Sequence, residues 1–413
     1  MTFADPTQST AAPAAATPAA PARVRDIRLD FFRGIAMFII LIAHTPGNFL
    51  TSWIPARWGF SDATEIFVFC SGMASAIAFG RAFDTAGWRM GTARVTFRVW
   101  QVYWAHVGLF FATLALVSFL TSLEWDGTRN YVGQLNLWRF YVQVDTGTVT
   151  DLIVRLMTLR YVPNYFDILP MYMVVLVMMP VVMALARVHL GLAFGFMAVT
   201  WLLGQTALTE ALGLPNLELP ADPSSDRSWF FNPFGWQLIF FTGFAFMRGW
   251  IPKPPVNGLL IGIALFLVLA NIPLSNIGVR ELGFDWARDW RSDNTAWITK
   301  SDFGILRYVH FLALAYLMWV LAGDKGNRIR AGDGTLGRLW DRVLQIILKV
   351  GQQSLAVFVV SMFTARIMGF AMDVLGCETG TVLLVNFAGA CVLIVTAYVA
   401  GWFKSHPWKK ATT

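Results

Sequence analysis

Arg33 and His44 stand eleven positions apart, most of the way between them through a continuous apolar run that opens at Phe31. On an α-helix eleven residues turn through about 1100°, so the two side chains share a face and lie about 16 Å apart along the axis. Asp30, three positions before Arg33, falls near the same stripe. An imidazole deep in a membrane helix is costly and by default marks function. As a general base it would take a proton from a hydroxyl, which needs a pKa near ambient pH. The bland alternative is a structural histidine bonded to a carbonyl of a neighbouring helix. Arg33, at the boundary of the run, suits an anionic group, phosphate above all.

The next apolar run opens on Ser61-Asp62-Ala63-Thr64-Glu65 and continues Ile66-Phe67-Val68-Phe69-Cys70-Ser71-Gly72. Asp62, Glu65, Phe69 and Gly72 share one helical face. Either carboxylate could orient His44 and stabilise its imidazolium, the role an acid plays in a Ser-His-Asp system. Both could instead cap the helix and complement its dipole, a reading that suits Asp62 better than Glu65, one turn deeper.

Three further groups follow. Asn164, Tyr165 and Asp167 stand before the fourth apolar run, after the amphipathic stretch 148–162, placed either to bind an acceptor sugar or to cap that run. Arg307 and His310 are one turn apart in the eighth run. They read as an intramembrane pair, or as an arginine that snorkels outward beside a hydrogen-bonding histidine. Arg366 lies inside the ninth run, with Asp373 two turns away as a partner on one face.

The elements that must position these residues follow from composition. Of the 413 residues, 56% are hydrophobic and only 14% charged, against about 25% charged in ordinary soluble domains. That disfavours a soluble enzyme and favours an all-α membrane bundle. Apolar runs fall near 31–50, 62–80, 98–122, 166–186, 190–208, 234–250, 258–276, 303–322, 349–373 and 381–403, or about ten spans of some 20 residues. Placing both termini in the cytoplasm puts most Lys and Arg on the inner side, as topology favours. The net charge of +7 is then an orientation signal, and nucleic-acid binding is not expected. The long outer segments 123–165, 209–233 and 277–302 hold most of the acids, with Trp125, Tyr131, Trp138, Tyr141, Trp286, Trp290 and Trp297. Those aromatics suit sugar stacking or an interfacial belt. Residues 1–24 read as a disordered Ala/Pro-rich cytoplasmic tail. The first run, which follows Arg23, Arg25, Arg28 and Arg33 and lacks a small-residue cleavage site, reads as an uncleaved span. Cys70, Cys377 and Cys391 form no metal spacing and no disulfide framework. No metal and no tightly bound cofactor is implied.

An arginine, ten residues and a histidine in the first span, followed by Phe67-Val68-Phe69-Cys70-Ser71-Gly72, resemble the membrane acyltransferase-3 superfamily. Within it the chain is most similar to the OpgC family. Leu29-Asp30-Phe31-Phe32-Arg33-Gly34, Gly59-Phe60-Ser61-Asp62-Ala63-Thr64-Glu65, Asn164-Tyr165-Phe166-Asp167-Ile168-Leu169-Pro170 and Asn232-Pro233-Phe234-Gly235-Trp236-Gln237 carry that resemblance. Cys70 departs from it, where an aliphatic residue is expected, and affects packing. The resemblance makes residues 25–413 an integral-membrane O-acyltransferase domain of the bacterial inner membrane. It implies transfer of a succinyl group, with acetyl as the alternative, from cytoplasmic acyl-CoA (succinyl-CoA, a co-substrate) to hydroxyls of a periplasmic glucan. His44, Arg33, Glu65 and Asp62 would be catalytic. Asp30, Asn164, Tyr165, Asp167, Gln237, Arg307 and His310 would contact substrate, and Arg81 and Arg98 would bind the CoA phosphates. The lipid bilayer is a partner, and a homo-oligomer is compatible with the sequence. The rival from another class is a polytopic transporter or flippase of a glycan or lipid-linked sugar, which buried charges and aromatic loops suit equally. Against it stands the lack of an internal repeat.

Overall fold

Each apolar run becomes a helix because an uninterrupted apolar stretch in a bilayer can satisfy its backbone only internally. The computed structural model describes residues 26–123, 129–141, 149–222 and 225–409. The proposed tail 1–24, Arg25 and Trp125 lie outside the described residues. In chain order the helices that matter are α1 (Arg28–His44), α2 (Ala63–Thr85), α3 (Gly87–Ser122), α4 (Val149–Met157), α5 (Ile168–Val188), α6 (Leu190–Leu203), α7 (Thr206–Leu212), α8 (Pro233–Arg248), α9 (Gly258–Ala270), α10 (Asp285–Asp293), α11 (Ile305–Ala322), α12 (Gly334–Gln352), α13 (Ser354–Leu375) and α14, which begins at Thr379 and ends at Lys404. Among the described residues the only extended pairing is an isolated bridge between Pro220 and Ser228.

Among the described residues six helices are long and apolar enough to cross a membrane: α2, α3, α5, α11, α13 and α14. The pair α6 and α7, bent by 82° at the intervening break, makes a seventh if taken as one span. This is fewer than the ten runs of the sequence, and the difference has local causes. α1 ends after 17 residues, because Pro46 and Gly47, the latter at φ +78°, stop a helix. α8 has 16 residues between a sharp start and stop. Asn232 accepts the Phe234 N–H at 3.1 Å, Pro233 follows at the first helical position, and Gly249 closes it in the left-handed region at φ +74°. α9 has only 13 residues.

α3 differs in the other direction. Its 36 residues make a rod of about 54 Å, well beyond the roughly 30 Å of hydrocarbon. Arg89, Arg94 and Arg98 stand within the first third of this helix. The ninth run also divides: a break at Gln353 separates α13 from α12, which buries Leu344, Ile347 and Leu348 and leaves Leu336, Arg338 and Leu339, nearer its start, exposed.

α8 is the central element, with Trp236, Phe240, Phe241 and Phe244 fully buried. It touches α2 almost backbone to backbone: a Cβ at Gly72 would lie 1.9 Å from the Phe240 carbonyl oxygen, and one at Gly243 would lie 2.3 Å from that of Phe69. The Ser71-Gly72 motif thus marks a helix crossing of the small-residue kind that membrane bundles use. Gly34 does the same for α1, facing the Ile347 carbonyl of α12. α1 and α13 run side by side in the same direction, joined near one end by Arg33 Nη2 to Ser354 Oγ and near the other by Arg366 Nη2 to the His44 carbonyl.

Gly72→Val should lose about 1–3 kcal/mol through overpacking and lower the thermal midpoint in detergent. Gly258→Ala, where a Cβ meets nothing within 4 Å, should leave the midpoint unchanged. Equal midpoints for the two variants would contradict the crossing.

Candidate functional site

The site is built where α1 stops. His44 Nδ1 lies 2.8 Å from the Ile40 carbonyl oxygen of its own helix. A carbonyl only accepts, so the ring proton sits on Nδ1 and the lone pair on Nε2. The ring is half-buried and meets Tyr165 edge-on, with centroids 5.5 Å apart. Tyr165 comes from the turn before α5 at φ +85°, a region non-glycine residues adopt rarely and which clusters at functional sites. Its hydroxyl donates to the Met362 carbonyl of α13. From the same helix the Arg366 guanidinium lies over the Tyr165 ring, 4.4 Å from its centroid, while Nη2 donates to the His44 carbonyl. Three elements distant in sequence therefore meet at His44.

Next to them stand the two carboxylates at the head of α2. Asp62 Oδ1 accepts the Thr64 N–H at 2.7 Å, and Glu65 Oε2 accepts the Asp62 N–H at 2.7 Å, a reciprocal capping box. Each also takes a cation: Lys300 Nζ reaches Asp62 Oδ2, and Arg307 Nη1 reaches Glu65 Oε1 at 2.6 Å. Glu65 is wholly buried. Neither carboxylate touches His44, so the orienting role that the sequence offered them falls to the Ile40 carbonyl. They are spoken for by the cap and by their cations. Arg366, Lys300 and Asp62 nevertheless lie close enough to His44 to act on its ring electrostatically.

Arg307 and His310 do not pair with each other, and His310 takes the hydrogen-bonding role that the sequence also offered it. Arg307 serves Glu65, whereas His310 Nδ1 accepts the Ser61 N–H at 3.3 Å and the Ser61 hydroxyl at 2.7 Å. Gly59 sits against that ring so closely that a Cβ would come within 2.4 Å of it. The expected Arg366–Asp373 pair is also replaced: Arg129 grips Asp373 with two parallel bonds of 2.6 and 2.7 Å, and the Tyr131 hydroxyl adds a third. The bond to Asp373 raises the Arg129 pKa, and burial together with the same carboxylate raises that of Tyr131.

The remaining sugar-binding candidates are tied to protein. Asn164 Oδ1 accepts Arg227 Nη1, and Asp167 Oδ1 accepts the Phe230 N–H at 3.1 Å. Gln237 donates to the Met197 carbonyl at 2.7 Å, with its own Oε1 buried and unpartnered. These three fasten the segment before α8 and the packing of α6; of the group, Tyr165 is the one brought to His44.

At the other end of α1, the Arg33 Nη2–Ser354 bond leaves Nε buried without a partner. Arg98 of α3, and Lys404 at the end of α14, are near enough to act on Arg33 or on one another electrostatically. Arg81 is exposed on the last part of α2, and the structure shows no contact between it and that cluster. Asp30 is buried and accepts Gln352 Nε2 at 3.3 Å. Fourteen residues from His44, or about 21 Å, it belongs to this end only. Beside it a cavity of about 430 Å³ is lined by Ile27, Asp30, Arg330, Asp341, Gln345 and Gln352. Sequence reasoning missed this cavity, because Asp30, Arg330 and Asp341 come together only in the fold. It missed Lys300 and Ser354 too, since neither carries a local signal. Among the described residues no three His, Cys, Asp or Glu side chains gather as metal ligands would.

No curated protein and no solved structure matches the chain. A family model described as OpgC protein matches residues 25–405. That match takes in the whole of α1, the capping box of α2, the Tyr165 turn and α13 together, and by it the chain belongs to the OpgC family.

Proposed function

We propose that this protein is a membrane O-acyltransferase that moves a succinyl group from cytoplasmic acyl-CoA to a hydroxyl of a periplasmic glucan, with His44 as general base. The observation that carries the reading is the tautomer of His44. The Ile40 carbonyl holds the proton on Nδ1, so Nε2 offers a lone pair at a half-buried position. Membership of the OpgC family supports a glucan-modifying acyltransferase-like role.

In this mechanism the CoA phosphates meet Arg33, Arg98 and Lys404, and the pantetheine arm follows α1 over the roughly 16 Å to His44. Nε2 takes the proton of the acceptor hydroxyl, and the oxygen attacks the thioester carbonyl. The tetrahedral oxyanion then collapses, the C–S bond breaks, and the imidazolium returns its proton to the departing thiolate. Asp62 and Glu65 act at a distance, as capped and paired charges that hold the head of α2 beside the ring.

The topology we propose adds α1, α8 and α9 to the seven longer candidates, giving ten crossings of a bacterial inner membrane with both termini cytoplasmic. The shared direction of α1 and α13 supports it, because helices that run the same way must be separated by an odd number of crossings. The 82° break between α6 and α7 favours a second reading, a transporter of a glycan, since transporters use discontinuous helices. Purified protein with labelled acyl-CoA and glucan separates the two: covalent label on the glucan supports catalysis, and its absence supports transport.

His44→Ala should lower kcat/KM by about 10²–10⁴-fold with its thermal midpoint kept; transfer at the wild-type rate would remove His44 from the chemistry. Arg33→Met should raise the KM for acyl-CoA by about tenfold, the loss of one charge-assisted bond. It should leave the KM for a phosphate-free acyl-pantetheine unchanged. A matching rise for both donors would show that Arg33 does not read the phosphates.

A further inference from the structure

Arg366 is a guanidinium inside α13, whose apolar window has a mean hydropathy of 1.9. A cation at such a place is expensive, and native membrane proteins match it with an acid, a backbone carbonyl or a ligand. The carboxylates at the His44 end and along α13 are engaged elsewhere: Asp62 by Lys300, Glu65 by Arg307 and Asp373 by Arg129. Among the described residues Arg366 pairs with no carboxylate. What it touches instead is one helix-end carbonyl, that of His44, and Tyr165, by the face of its ring and by its hydroxyl oxygen. Each offers a partial negative charge and neither a whole one. Its Nε is buried with no partner, while the side chain as a whole is half-buried and keeps some open surface.

Building on the acyltransferase reading, we propose that Arg366 receives the terminal carboxylate of a dicarboxylic acyl group on the donor. The fork of a guanidinium matches a carboxylate in two parallel bonds. Tyr165 fixes the plane of that fork from one side, and the bond to the His44 backbone fixes its distance from the base. A thioester carbonyl at His44 Nε2 then places a carboxylate two methylenes further along its chain beside Arg366. A neutral acyl group of the same length leaves the cation unmatched, so the site discriminates by charge and not only by size. The same guanidinium aimed at the tetrahedral oxyanion would serve every acyl group alike, and this difference separates the two roles.

The test uses full-length protein in lipid nanodiscs with a glucan acceptor and two donors of equal chain length, succinyl-CoA and butyryl-CoA. Wild type should prefer succinyl-CoA. Arg366→Gln should lower kcat/KM for succinyl-CoA by about 100-fold, the worth of a paired charge-assisted contact, and change butyryl-CoA by less than about threefold. Equal losses for both donors, or an undiminished succinyl rate, overturn the inference and leave the acyltransferase standing. So does a wild type that uses the two donors equally well. If Arg366→Gln does not fold, Arg366→Lys keeps the charge and loses the fork. It should weaken succinyl transfer about tenfold more than butyryl transfer, and parallel losses overturn the inference. Wild-type protein that transfers neither group overturns the acyltransferase reading and this inference with it.

Discussion

A charge held inside an apolar bundle must meet an opposite charge or a dense set of dipoles, and this constraint arranges the whole His44 end of the molecule. Removing one partner of a buried pair commonly costs about 3–5 kcal/mol, because the other is left unmatched. Asp62 with Lys300, and Glu65 with Arg307, therefore join the head of α2 to the segment that leads into α11 and to the first turn of α11 itself. Asp373 with Arg129 joins the far end of α13 to the loop after α3. Only when these pairs are drawn does Arg366 stand out, resting on the carbonyl of His44 and on the ring of Tyr165.

The same end shows how helix termination can serve chemistry. α1 stops at His44 because Pro46 and Gly47 follow, and its last carbonyls are left without helical partners. One of these, the carbonyl of His44 itself, takes Arg366, while the carbonyl of Ile40 sets the tautomer of the ring. The His44 ring, its tautomer and the neighbouring cation thus depend on a single chain stop. At the opposite end the bond from Arg33 to Ser354 keeps α1 and α13 in register. Gly34 and Gly351 admit the close approach of α12, each facing a backbone carbonyl where a Cβ has no room.

Much of this was legible in the sequence. The apolar runs located the helices, the eleven-residue spacing placed Arg33 and His44 on one element, and Asp62 with Glu65 read as a helix start. The partners were not legible, because each lies far along the chain: Lys300 for Asp62, Arg129 for Asp373, Ser61 for His310. Local spacing offered Arg366 to Asp373 and Arg307 to His310. Tertiary contacts gave each a better-placed partner. The lengths of the helices were not legible either. Hydropathy sees apolar residues but not the proline and glycine stops that leave α1 and α8 shorter than their neighbours. Asn164 and Asp167 read by type as acceptor contacts or caps, and Gln237 as a substrate contact by resemblance alone; the structure ties all three to protein.

The central claim is that one active site joins a donor on one face of the bilayer to an acceptor on the other. Proteoliposomes with uniformly oriented protein, glucan sealed inside and isotope-labelled succinyl-CoA outside, test it by mass spectrometry of the enclosed glucan. The account predicts labelled succinyl ester on the glucan when His44 faces the lumen, and none when donor and acceptor are both placed on the His44 side. Unlabelled glucan in the first arrangement, or labelled glucan in the second, would contradict it.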